Sequence, residues 1–166
     1  MATRKEASKE VTAKGVQRRA GGAETVTARG ATRRADADVP SMFRMNLEVG
    51  DLERAAAFYG ELFGIEGRKQ AGSRCYFTCG TVTLQVVDVS SAGKPHPAAK
   101  ALYFTVRDLD AVHARAKALG CLSRDEVHGE PGGAIRVRPW GERSFYAEDE
   151  WRNPLCFVEA GTIYPG

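Results

Sequence analysis

A short phrase occurs twice in the chain: Val49-Gly50-Asp51-Leu52-Glu53 returns as Val106-Arg107-Asp108-Leu109-Asp110, 57 positions later. Self-similarity at a fixed spacing marks a duplicated structural unit. Ahead of the first copy, Phe43, Met45, Leu47 and Val49 alternate with Arg44, Asn46 and Glu48. Ahead of the second, Leu102, Phe104 and Val106 alternate with Ala101, Tyr103 and Thr105. Alternation of period two predicts a strand with one apolar and one polar face. Behind each copy the period changes. Asp51 and Asp108 are placed to cap helices over 52–63 and 109–119, and Gly64 and Gly120 stand at their ends. In the first helix Leu52, Ala55, Ala56, Tyr59 and Phe63 form one apolar stripe.

Three strand-like pieces follow each helix: around 65–69, 75–79 and 82–89 in the first half, and around 134–138, 144–147 and 155–159 in the second. A further short piece at 121–123 reads the same way. The last two strands are joined through Asp149 and Asn153, which suit tight turns, and Pro154 restarts extended chain. The repeated unit is therefore strand, helix, three strands. The fold class is α+β, with two βαβββ modules at about 42–89 and 100–160.

Charge divides the chain differently. Residues 1–40 hold nine Lys/Arg against five Asp/Glu and no aromatic residue, whereas the remainder holds fifteen against sixteen. Such a segment buries too little apolar surface to offset its ordering entropy, so residues 1–40 read as a disordered basic tail and 41–166 as one domain. With the basic character confined to the tail, nucleic acid is not an expected partner. No apolar run reaches the roughly 18 residues that span a bilayer, so no membrane partner is expected either. Cys75, Cys79, Cys121 and Cys156 are scattered without zinc-ligand spacing and read as small buried hydrophobes in a reducing cytoplasm. His96, His113 and His128 read as surface residues in a connection, on an exposed-looking helical face and in a polar loop.

The wording of the repeats resembles the vicinal oxygen chelate superfamily, which includes glyoxalase I, bleomycin-resistance proteins and extradiol dioxygenases. The resemblance lies in Leu47-Glu48-Val49-Gly50-Asp51-Leu52-Glu53-Arg54-Ala55 with Phe58-Tyr59, in Phe104-Thr105-Val106-Arg107-Asp108-Leu109-Asp110 with Ala118-Leu119-Gly120, and in Pro139-Trp140-Gly141 with Phe145-Tyr146. It implies curved half-sheets around a cavity with helices outside, and a homodimer with clefts near its interface. Glu150-Trp151-Arg152 departs from the Asp-Pro-x-Gly-Asn turn of such relatives. Metal-dependent members hold their ion on four cavity positions, which the resemblance carries onto Arg44, Gln85, Ala101 and Cys156. An arginine has no lone pair to give, an alanine gives nothing, and one amide with one thiol makes a poor site. No metal and no cofactor are expected.

The candidate ligand-binding residues are Arg44, Asn46, Glu48, Tyr76, Gln85, Tyr103, Trp140 and Cys156. Parity puts Arg44, Asn46, Glu48, Gln85, Tyr103 and Cys156 on the polar face; Tyr76 and Trp140 offer ring surface for a flat ligand. A half-buried Arg44 calls for an anion, from protein or ligand. The expectation is a metal-free small-molecule-binding protein that sequesters or senses an aromatic or anionic ligand. The alternative is a lyase, isomerase or dioxygenase of the same superfamily with an atypical or absent metal site.

Overall fold

Each copy of the repeated phrase sits where a strand hands over to a helix. The computed structural model describes residues 40–165, so the expectation for the basic tail lies outside the described residues apart from Pro40. Strand β1 (Arg44–Val49) leads through Gly50-Asp51 into α1 (Leu52–Phe63). The Asp51 carboxylate accepts from the Arg54 backbone N–H, and Gly64 closes the helix in left-handed geometry at φ 69°. Three strands follow: β2 (Arg68–Gln70), β3 (Arg74–Cys79) and β4 (Val82–Asp88). The second unit repeats the plan. Strand β5 (Leu102–Val106) precedes α2 (Leu109–Ala118), whose cap Asp108 accepts from the Ala111 N–H.

After α2 the two units diverge. A hairpin, β6 (Glu126–Val127) and β7 (Glu130–Pro131), comes before β8 (Arg136–Val137), β9 (Arg143–Glu148) and β10 (Pro154–Glu159). The piece expected as a strand at 121–123 contributes one bridge, Leu122 to Ala147. A turn of 3-10 helix, Ala160–Thr162, is the last element of the described chain.

Two mixed four-stranded sheets result, in the orders β1-β4-β3-β2 and β5-β10-β9-β8. In each the first strand of the unit runs parallel to the last, and the inner strands are antiparallel. The apolar faces of both sheets and the helices share one core. Leu47, Val49, Tyr59, Leu62, Phe77, Leu84 and Val86 join Leu109, Val112, Phe145, Leu155 and Phe157 in it. Each such side chain contributes about 1.5–3 kcal/mol on burial. Phe63 ties the halves together, with ring centroids 5.8 Å from Phe77 and 5.0 Å from Phe104. Gly67 lets β2 approach: a Cβ there would stand 2.5 Å from Phe77 and 2.6 Å from the Cys75 sulfur.

The β9–β10 turn is a second, polar tie. Asp149 Oδ1 accepts from the Trp151 and Asn153 N–H groups at 2.9 and 2.8 Å. Its Oδ2 accepts from the Tyr59 hydroxyl at 2.7 Å and from Asn153 Nδ2 at 2.8 Å. Asn153 Nδ2 also donates to the Glu48 carbonyl, and its Oδ1 accepts from the Ala98 N–H. Asp149 and Asn153 are buried, so this network joins β1, α1, the inter-module connection and the last turn inside the protein. Trp151 packs against the shared core, and Arg152 takes left-handed backbone at φ 70°, a conformation that favours glycine.

Candidate functional site

Alternation aims the polar side chains of each sheet away from the shared core. On the first sheet the register sets Asn46, Gln85, Tyr76 and Arg68 side by side across four strands. Arg44 Nη1 donates to Gln85 Oε1 at 3.2 Å. Its guanidinium lies 5.1 Å from the Phe43 ring and 5.3 Å from the Tyr76 ring, within cation–π range. Arg68 approaches Tyr76 at 5.0 Å, and the Tyr76 hydroxyl donates to Gln70 Oε1 at 2.7 Å. Tyr76 and Gln85 are buried, whereas Arg44 and Asn46 are exposed. Arg44 was expected half-buried on an anion. It is instead solvated and held by an amide and two rings, because β1 is the free edge of its sheet. Glu48 turns to the connection, accepting from the His96 N–H at 2.8 Å and meeting His96 Nδ1 at 3.1 Å. The backbone hydrogen bond and then the imidazole contact hold its carboxyl below the usual range.

On the second sheet Tyr103, Cys156 and Tyr146 form the matching row. The two tyrosine hydroxyls stand 3.2 Å apart with rings edge to face. Cys156 is buried, and burial pushes its thiol up to about 11; Tyr146 is raised above its ordinary range for the same reason. A thiol raised in this way carries its proton near neutrality and is a poor nucleophile. Trp140, 38% exposed, donates its indole N–H to Glu142 Oε2 at 2.8 Å and meets His128 edge to face at 4.9 Å.

Three residues of these faces escaped sequence reading: Arg68, Tyr146 and Arg138. Arg138 is 2% exposed, its Nε donates to Ser144 Oγ at 3.0 Å, and its guanidinium lies 5.3 Å from the Tyr146 ring. In the sequence it ends the strand-like piece at 134–138, with no local signal of its burial. The available signal was His128-Gly129, a turn dipeptide beside Val127 that could have been read as a hairpin folding back. His113 also differs from its exposed-looking pattern. It is half-buried, with Nε2 2.9 Å from the Gly133 carbonyl and its ring edge to face against Phe145.

The candidates thus fall into two clusters, Arg44-Gln85-Tyr76 and Tyr103-Cys156, with Tyr146 added to the second. The clusters lie on opposite sides of the core, and among the described residues no hydrogen bond, ion pair or ring contact joins them. A metal does not fit these positions. Gln85's amide oxygen already accepts from Arg44, Ala101 has no donor, and the Cys156 thiol holds its proton. Among the described residues no three His, Cys, Asp or Glu side chains gather into a metal-binding group. Two surface hollows avoid most candidates. One of about 610 Å³ is lined by charged groups including Arg54, Glu61, Arg124 and Glu150. The other, of about 510 Å³, is apolar and lined by Met45, Leu84, Phe104 and Tyr103 among others.

All four cysteines are free, and none of the described helices is long and apolar enough to cross a membrane. No curated protein matches the sequence. Among solved structures, the chain is similar to a lactoylglutathione lyase from Agrobacterium tumefaciens, at 25% identity and TM-score 0.53, over 75% of this chain and 96% of that one. It is similar to the oxidase ChaP-H2 at 24% identity and TM-score 0.61, over 76% and 97%. It is also similar to a bleomycin resistance determinant encoded on the transposon Tn5, at 18% identity and TM-score 0.53, over 72% and 98%. These neighbours share the duplicated βαβββ fold. The model of the glyoxalase/bleomycin resistance protein/dioxygenase superfamily matches residues 41–157, and the chain belongs to that family.

Proposed function

We propose that this protein is a metal-independent small-molecule-binding protein of the bleomycin-resistance type, sequestering or sensing an aromatic or anionic ligand. A paired observation carries the reading. Each polar face sets an arginine against a tyrosine ring, Arg44 on Tyr76 and Arg138 on Tyr146, and neither arginine hydrogen-bonds to a carboxylate. Cations on aromatic platforms without a bonded anion suit a flat, negatively charged guest. Arg44, Gln85 and Tyr76 orient the guest from one face, with Asn46 and Glu48 at its margin. Tyr103 and Cys156 close on it from the other, and Trp140 stacks at the rim.

The two faces diverge within one chain, so a single cleft lined by both takes a homodimer, module one of each copy meeting module two of the other. The binding domain is residues 41–166, and its free thiols suit a reducing, cytoplasmic setting. A panel of aromatic and anionic compounds, titrated with tryptophan fluorescence as readout, tests the reading with and without chelator. Saturable binding indifferent to the chelator is expected. A chelator-sensitive lyase, isomerase or dioxygenase activity tracking a stoichiometric divalent metal would replace it with an enzyme.

A further inference from the structure

The hairpin that the second module adds between α2 and β8 covers a charge. Val127 packs on the polar-face cluster of Tyr146, Cys156 and Val158. Next to it His128 meets Trp140, and Glu130 reaches toward Arg136 and Arg138. The cover is slight. It has two residue pairs, Glu126 with Pro131 and Val127 with Glu130, around a turn whose His128 and Gly129 both have positive φ. A ribbon this short has little stability of its own.

Beneath it lies an unsatisfied cation. Arg138 Nε donates to Ser144 Oγ at 3.0 Å and Nη2 to the Ser144 carbonyl at 3.5 Å. Nη1 is buried and makes no hydrogen bond. Glu130 Oε2 stands 3.8 Å from it, close enough for attraction but too far to bond. The Glu130 side chain is 48% exposed while that of Arg138 is 1% exposed. Leaving a buried charged donor unpaired costs at least what a neutral one does, so the group is poised for a better acceptor. Tyr146 lies against it, Tyr103 meets Tyr146 edge to face, and Trp140 meets His128 in the hairpin turn.

We propose that Arg138 is the anion-binding residue of the second module's polar face, that its ligand is an aromatic carboxylate, and that Glu130 is the resident counter-ion this carboxylate displaces. The proposal rests on the binding reading above and specifies it. The ligand oxygens replace a loose 3.8 Å contact with charge-assisted bonds to Nη1, and the ring meets Tyr146 and Tyr103 once Val127 lifts.

Calorimetric titration of the full chain at constant ionic strength tests it, using benzoate, its neutral counterpart benzamide, and inorganic phosphate. Benzoate is expected to bind about tenfold tighter than benzamide, the scale of one charged hydrogen bond. Glu130→Gln removes the competing carboxylate at an exposed position and is expected to tighten benzoate several-fold. Arg138→Gln is expected to abolish the preference for benzoate. Should that variant fail to fold, Glu130→Gln still decides: unchanged or weaker benzoate binding overturns the proposal. Benzamide binding as tightly as benzoate in wild type also overturns it, while leaving the small-molecule-binding reading standing. Phosphate matching benzoate would contradict the aromatic carboxylate and give the site to a free oxyanion.

Discussion

The two modules share a plan and treat their polar faces in opposite ways. In the first, α1 passes to β2 through four residues, 64–67, and the row Asn46-Gln85-Tyr76-Arg68 meets solvent at both ends. In the second, the path from α2 to β8 is long enough to make a hairpin, which folds over the row Tyr103-Cys156-Tyr146. Register makes Tyr76 and Tyr146 equivalents, and likewise Gln85 and Cys156. An arginine rests on each tyrosine, yet Arg44 is solvated and Arg138 is buried with one nitrogen unbonded. Duplication thus fixes the frame, while the connection between helix and third-last strand decides whether the face is open or capped.

The comparison breaks first at the tie between modules. If Asn153 and Asp149 join the halves into one cooperative unit, Asn153→Ala leaves the Ala98 N–H and the Glu48 carbonyl without their partner. A loss of about 3 kcal/mol in urea unfolding, with a single transition, is expected. Two separate transitions in the wild type would show the modules to be independent.

Alkaline pH should act next, in the second module through two buried thiols. Burial pushes Cys121 and Cys156 up to about 11. A thiol whose folded pKa exceeds its unfolded value binds its proton more tightly when folded. Stability from it is therefore full below about 9 and lost as pH rises toward 11. Each thiol contributes a fall on the order of 2 kcal/mol over that window. Cys156→Ala should flatten the pH profile of the melting temperature; an unchanged slope would refute the assignment.

A smaller effect separates the two last turns. Between β3 and β4 the left-handed position is Gly80 at φ 63°; between β9 and β10 it is Arg152 at φ 70°. A side chain there costs about 1 kcal/mol, so Arg152→Gly should stabilise by roughly that amount, less the weak exposed pair with Glu148. Gly80→Arg should do the reverse. Least of all, Arg44→Gln should shift stability by under about 0.5 kcal/mol while weakening ligand binding, since its contacts are solvent-facing.

These residues also show how far the sequence could be read. The frame was legible because its signals are local and repeated: Asp51 and Asp108 cap as read, and α1 begins at Leu52 and ends at Phe63. Gln85, Tyr103 and Cys156 fell on the polar face because alternation follows from strand geometry. What local pattern cannot carry is who covers whom. Arg138 reads only as the end of a strand-like piece, and nothing local to it shows that the 126–131 hairpin folds over it; 121–123 reads as a strand although only one bridge forms. Arg44 reads as half-buried until β1 proves to be a free edge. Nor could parity reveal that both apolar faces share one core and so drive the two polar faces apart.

The central claim is that these faces bind an organic guest without help from a metal. Titrating the purified protein calorimetrically with Ni, Zn, Mn and Fe(II) ions is its most direct test, with Gln85→Ala as control. The account predicts no near-stoichiometric binding and no difference between wild type and variant. A stoichiometric ion lost on replacing Gln85 would contradict it.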